Sequence, residues 1–490
     1  MAPTRTERNS NYLLILVCLA QFMVILDVAI VNVALPSIHD SLGFSQTGLQ
    51  WVVNAYTLTF AGFLMLGGRA CDLFGRRRVF LGGTILFALA SLACALADDR
   101  TLLVAARAVQ GLGAAVISAA SLAIVTTAFE EGHERNRALG VWGAMAGLGG
   151  ATGVLLGGLL TQGFGWPSIF LINVPIGIMV ALAARREIPA DGEPAPGRQF
   201  DFAGAVLVSA GLTALVYGIV RTDDLGWGSP GVLLPLLGAA LILGLFVLVE
   251  GRLVRDPLVP LRIFQIPQLR AASLIIALLF AGVFAMWFFL SLYLQQVLGQ
   301  DALQAGLSFL PLTIGVAGSS TIVPKLVARF GVRPVLTAGM LIAALGLFWL
   351  SDLRSGGSYL ADVLPGGVLA TIGLGSSLVP ATIIGVKGVA AAESGLASGI
   401  LNTSRLGGGT IGLAALATLA ASHTNSELAG GAGQLAALSD GYSLALLLGA
   451  ACCLAGAIVA AVLLREPRAG RPPVGSGRAA EPATDPALHR

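Results

Sequence analysis

Apolar residues fill this chain in long unbroken runs, not in alternation and not in isolated stripes. Each run lasts about twenty residues, the length a helix needs to cross a hydrocarbon layer roughly 30 Å thick. Runs begin near Asn11, Leu49, Val79, Leu102, Ala138, Pro167, Phe202, Gly231, Leu274, Leu303, Val335, Leu360, Leu396 and Tyr442, and a loop carrying charge, Gly or Pro separates each from the next. The pattern predicts an all-α polytopic membrane protein of fourteen transmembrane helices, with both termini on one side. The first run, Asn11 to Leu35, exceeds the apolar part of a signal peptide and lacks a small-residue cleavage site at its end, so it reads as a retained helix.

Composition narrows the picture. The chain is 56% hydrophobic and 11% charged, against about 25% charged in ordinary soluble domains, so it cannot build a water-facing surface. Its 64 glycines would weaken soluble helices but let membrane helices approach closely. Cys18, Cys94, Cys452 and Cys453 fall in apolar runs and Cys71 in a short basic loop, with no metal-ligand spacing, so neither disulfides nor a metal site is expected.

Charge sets the orientation. Placing the N-terminus inside puts 24 of the 29 basic residues in inner loops, leaves Arg100, Arg221 and Arg354 outside, and leaves Arg107 and Arg405 within the membrane. That asymmetry predicts that both termini are cytoplasmic, and the scarcity of lysine, with only Lys325 and Lys387 among the 29 basic residues, together with the Ala/Gly load suggests a bacterial genome and so a bacterial inner (plasma) membrane. The expected organisation is a cytoplasmic N-terminus (1–10), a six-helix bundle (11–186), a Pro-rich cytoplasmic linker (187–201), two extra helices (202–250), a second six-helix bundle (251–464) and a disordered cytoplasmic tail (465–490).

The two bundles look like copies. The loop Gly68 to Arg78 recurs in degraded form as Lys325 to Arg333, with Gly75 and Gly331 separated by 256 positions, and the same offset carries Gly153 in glycine-rich helix five onto Gly409 in helix thirteen. Such parallel duplication builds transporters in which two bundles rock about a central site. Applied to Asp27 and Arg107, the offset lands on Val283 and Val363, so the second copy is expected to lack those charges.

Three charges carry the chemistry. Asp27 lies deep in helix one, Arg107 at a similar depth in helix four, and Arg405 in helix thirteen. A charge at the bilayer centre costs about 2.5–3.5 kcal/mol on insertion scales, so it is rarely decorative. A dry pocket favours the neutral acid and a neighbouring guanidinium the carboxylate, so an Asp–Arg pair can serve as a proton site, or as a fixed brace between helices. Arg405 is open between a partner for Asp27, an anion contact and a brace. Gly149, Gly153 and Gly157 form a smooth stripe at i, i+4, i+8, suited to sliding or to static packing. Trp287, Phe288, Phe289 and Tyr293 could line an apolar pocket or face lipid.

Neither lysine stands in a phosphate-binding loop, since Lys325 precedes Leu326 and Lys387 precedes Gly388. The four histidines, His39, His133, His423 and His489, fall in loops or the tail. The chain is therefore expected to be neither an ATPase nor a membrane enzyme, and a non-transporting sensor would have no need of a buried ion pair.

Several segments resemble the major facilitator superfamily, and within it the fourteen-helix drug:proton antiporters of the EmrB/QacA type. Leu26-Asp27 through Pro36 resembles that family's first-helix motif, whose Asp is implicated in coupling. Gly68, Asp72, Gly75, Arg76 and Arg77 match its cytoplasmic gate motif, and Arg107-Ala-Val-Gln110-Gly111 its proton-transfer motif. Asn173-Val-Pro175-Ile-Gly177 and Asn402-Thr-Ser-Arg405 are similar to further landmarks. Helix five, with Gly149, Gly153, Gly157 and Gly158, resembles the antiporter motif except that Val154 stands where proline is usual. The resemblance implies a monomeric, proton-coupled antiporter that exports hydrophobic or cationic drugs, antibiotics or other amphipathic small molecules. It implies the proton motive force in place of a cofactor, and protons and lipid but no nucleic acid as partners. A metabolite or siderophore exporter or importer is the alternative on the same scaffold.

Overall fold

The structure is a computed structural model that describes residues 5–129, 133–189, 202–253, 261–387, 389 and 394–464. Most of the expected linker and the whole expected tail lie outside the described residues. Fourteen helices of fifteen residues or more run through the described chain: α1 Arg5–Leu42, α2 Trp51–Phe74, α3 Arg76–Ala95, α4 Arg100–Ala128, α5 His133–Phe164, α6 Asn173–Glu187, α7 Phe202–Val220, α8 Pro230–Leu248, α9 Pro267–Leu292, α10 Ala302–Phe330, α11 Val332–Trp349, α12 Leu364–Val386, α13 Ser394–Ala429 and α14 Gln434–Leu463. Among the described residues there is no strand. Among the described residues, eleven candidate spans are long and apolar enough to cross a membrane, and shorter apolar stretches occupy Leu148–Phe164 of α5 and Val206–Val220 of α7.

Local chemistry fixes several helix ends. The Asp99 carboxylate accepts from the backbone N–H of Thr101 and Leu102, at 2.7 and 3.0 Å, and starts the helix that carries Arg107. Asp301 and Gln304 form a capping box at the start of α10. Cys71, expected in a basic loop, is buried inside α2, because α2 continues to Phe74 before Gly75 turns the chain at φ 87°. His39 and His423 likewise belong to helices, α1 and α13.

The helix pairing repeats with a step of eight. In the first bundle α1 packs on α5 and α6, α2 on α4, and α3 on α4 and α6. In the second, α9 packs on α13 and α14, α10 on α12, and α11 on α12 and α14. The bundles meet along two seams that the same step exchanges, α2 with α13 and α5 with α10. Gly75 and Gly331 turn the chain with φ 87° and 86°. Arg77 and Arg333, 256 positions apart, donate to the carbonyls of Arg185 and Ala461 at the ends of α6 and α14, where helix carbonyls lack intrahelical partners.

The offset is not uniform. Gly113 abuts Phe87 and Gly83 abuts Val116 between α4 and α3, whereas Gly373 abuts Ala343 and Gly339 abuts Ser376 between α12 and α11. Residues of α3 therefore map onto α11 by 256 positions, but residues of α4 map onto α12 by 260. The longer α11–α12 connection supplies the difference. The counterpart of Arg107 is Gly367, not Val363.

The α7–α8 hairpin stands outside the repeat. Its α7 packs on α2 and α13 together, through Leu58, Val216, Val220 and Ala414, and so lies across one seam. At the end of the bundle remote from the arginine-rich loops the halves are bonded to each other. Ser291 donates to the Asn32 carbonyl, and the Gln295 amide to the Val33 carbonyl at 2.9 Å. Deeper along the seam, the hydroxyls of Thr57 and Thr410 lie 2.6 Å apart.

Candidate functional site

Helices α1, α4 and α6 converge on Asp27, which is fully buried. Oδ2 accepts from Arg107 Nη1 at 2.6 Å. Oδ1 accepts from the amides of Gln110, at 2.7 Å, and Asn173, at 2.8 Å. Three N–H donors on two oxygens is an arrangement that satisfies an ionised carboxylate. Depth alone suggested the Asp27–Arg107 pair in the sequence, but from helices drawn too short at their outer ends. Asp27 stands fifteen residues before the end of α1, because α1 continues past Leu35 to Leu42, and Arg107 stands seven after the start of α4.

Arg107 is itself held on several sides. Its Nε donates to the Val52 carbonyl at 2.8 Å, and Nη1 also donates to Gln110 Oε1 at 2.7 Å. The guanidinium lies 4.3 Å from the Tyr56 ring centroid and 5.6 Å from that of Phe170, where ring faces attract a cation. Gln110 closes the network by donating to Ser91 Oγ at 2.8 Å, and Ser91 donates to the Phe87 carbonyl. Asp27, Arg107, Gln110, Asn173, Ser91 and Tyr56 are all at most 1% exposed. Removing one partner from such a buried pair leaves an uncompensated charge, a loss of about 3–5 kcal/mol.

Gln110 and Asn173 stood inside noticed motifs but had no expected role, and Ser91, Tyr56 and Phe170 were not singled out. Neutral amides and hydroxyls are common in apolar helices. Only spatial convergence distinguishes these.

The glycine stripe of α5 seats the helix that carries Asp27. Gly149 lies against Ile25 and Leu26, Gly153 against Leu26, Ala29 and Ile30, and Gly157 against Ile30 and Val33. A Cβ on Gly153 would come within 2.9 Å of the Leu26 carbonyl oxygen, so α1 and α5 touch backbone to backbone. Gly158 faces the other way, onto Ala302 and Leu303 of α10. In the gate motif Gly68 and Asp72 lie near the end of α2, Gly75 makes the turn, and Arg76 and Arg77 begin α3. The Asp72 side chain is outside the described residues.

Arg405 does not pair with Asp27, whose oxygens are taken. It is partly buried in α13 with its guanidinium 5.7 Å from the Phe280 centroid, and its Nε is shut off from solvent without a hydrogen-bond partner. Of the four aromatic residues at the end of α9, three are buried within the protein and Trp287 is partly buried. Phe288, Phe289 and Tyr293 are at most 2% exposed, and Trp287 packs on Phe309 with centroids 5.1 Å apart. Phe288 and Phe289 line a cavity of about 220 Å³ with Tyr442, Thr424 and Asn425.

Paired six-helix bundles around a buried charge network are a transporter architecture, and comparison with known proteins agrees. Residues 17–413 match the Major Facilitator Superfamily model, and the chain belongs to that family. It is 44% identical to the cephamycin export protein CmcT of Amycolatopsis lactamdurans over 86% of this chain and 87% of that one. It is 38% identical to the puromycin resistance protein pur8 of Streptomyces alboniger over 92% and 90%. Among solved structures, the inward-facing, occupied form of a bacterial homologue of the human lysosomal transporter Spinster superposes with a TM-score of 0.67 at 16% identity, covering 94% of this chain and 97% of that one. The protein is a polytopic membrane transporter, not an enzyme.

Proposed function

We propose that the protein is a proton-driven antiporter that exports amphipathic antibiotics or drugs across a bacterial inner membrane. The observation that carries the reading is the buried Asp27 with its three donors, in a chain akin to antibiotic exporters. A proton arriving at Asp27 removes the charge that holds Arg107, Gln110 and Asn173 around it, and α1, seated on the smooth face of α5, is then free to shift. A proton entering down about 100 mV and one pH unit releases roughly 3.7 kcal/mol, enough for a several-hundredfold gradient of a neutral solute. No cofactor is required.

In this reading the fourteen helices all cross the bilayer, as in the fourteen-helix drug:proton antiporters, with the arginine-rich loops and both termini cytoplasmic. The inter-bundle bonds at the opposite end then close the molecule to the outside, leaving it open inward. Residues 11–186 and 251–464 are the two rocking bundles of a monomer, 202–250 the added pair, and the Gly68 to Arg77 motif the inner gate.

The test is accumulation of a cephamycin in everted vesicles, with puromycin and ethidium as cationic comparisons, comparing wild type with Asp27→Asn at matched protein. The expected result is accumulation that a protonophore collapses and that falls at least about a hundredfold in Asp27→Asn. Accumulation that survives in the variant would remove Asp27 from the mechanism.

A further inference from the structure

Among the described residues, the buried charges discussed above do not cancel. Asp27 and Arg107 neutralise each other in a network whose carboxylate oxygens are fully engaged. Arg405 has no ion pair with any described residue, its Nε is buried without a partner, and its guanidinium lies over the Phe280 ring. Phe280 meets Phe284 edge to face with centroids 5.7 Å apart. Phe284 and Leu406 pack into the core cluster of the first bundle. The Arg405–Phe280 pair therefore lies beside the surface where the two bundles meet.

A second unmet group lies level with it. Gly408, one turn from Arg405, packs on Ala277. The 256-position offset makes Gln21 of α1 the counterpart of Ala277, and Gln21 is 7% exposed with a side-chain Oε1 that has no partner. The amide has an N–H₂ end as well.

We propose that Arg405 binds an anionic group of the transported solute, a carboxylate carried on an apolar body, with Phe280 and Phe284 forming the apolar wall; this rests on the export reading above. A guanidinium presents a planar fork of donors that matches a carboxylate, and is more weakly hydrated than an ammonium, so it suits this partly buried position better than a lysine would. The uncompensated positive charge also raises the local concentration of anions and disfavours lipophilic cations. The sequence expectation of hydrophobic or cationic solutes thus narrows to hydrophobic acids.

The experiment uses everted vesicles carrying wild type, Arg405→Lys and Arg405→Ala at matched protein, with fusidate, cephalothin and cholate each assayed beside its own methyl ester. Wild type is expected to prefer each transported acid over its ester by about tenfold or more. Arg405→Ala should erase that preference through KM with the maximal rate retained, and Arg405→Lys should restore part of it. Arg405→Gln, closer in shape, replaces the alanine variant if the latter does not reach the membrane. Equal transport of acid and ester by wild type overturns the assignment, as does a preference that survives in Arg405→Ala. A merely structural arginine would change the yield or maximal rate of acid and ester alike. If wild type accumulates neither form nor the solutes named above, the export reading itself fails, and that result is distinct from transport without preference.

Discussion

The Asp27 site and the equivalent region of the second bundle share a scaffold and differ in chemistry. Asp27 becomes Val283, Arg107 becomes Gly367, and Tyr56, the ring under the guanidinium, becomes Leu312. Val283 and Leu312 are each 1% exposed, and Gly367 lies against Leu312. One region is a polar network that engages both carboxylate oxygens, and the other is plain apolar packing. Helix contacts tolerate gradual change, since a glycine at a crossing can drift four positions in register while the crossing persists. A buried polar network fails when any member is lost, because the remaining groups are left unsatisfied. The first bundle has all of these members, and the second has none of the three compared.

Three experiments would sharpen or break this contrast. The largest effect is expected for Arg107→Ala, which strands Asp27 and should cost about 3–5 kcal/mol in thermal stability in detergent. Gly367→Ala changes no charge and offers the matched control, so equal losses at the two positions would argue that the network is ordinary packing. Next comes Val283→Asp, which recreates the carboxylate without its donors. It should destabilise by about 2.5–3.5 kcal/mol and leave proton-driven accumulation with the same protonophore sensitivity. A gain in coupling there would show that the second bundle still holds a usable proton path. The smallest effect belongs to the paired turns: Gly75→Ala and Gly331→Ala force φ near +87° on an L residue and should each cost about 1–2 kcal/mol. Similar values from calorimetry would extend the equivalence of the halves to the loops.

Much of this was legible in the sequence for a physical reason. Lipid demands long apolar runs, so every run anticipated from the sequence corresponds to a helix in the structure. A carboxylate is so costly among them that Asp27 announced itself, and Arg107 followed as the nearest opposite charge. Gln110, Asn173 and Ser91 did not announce themselves, because neutral polar groups carry little penalty in a helix and acquire meaning only where three helices converge. The register of α12 was hidden too. The glycine landmarks after α2 and in α5 share one offset, and nothing in sequence alone reveals that the connection before α12 adds four residues. Arg405 was visible as a charge, but its lack of a partner was not.

The α7–α8 hairpin touches the seam between α2 and α13 and leaves its counterpart, α5 against α10, without a comparable cover. In a symmetric pair of bundles both seams would offer a membrane-dissolved molecule a sideways door to the interior. Here one door is shuttered by α7 from Leu212 to Val220, and the other is framed by Gly158 and Gly306, whose missing side chains bring α5 and α10 into backbone contact near one end. One seam is thus closed by an added helix, and the other, on the flank of the helix that seats Asp27, by direct backbone contact.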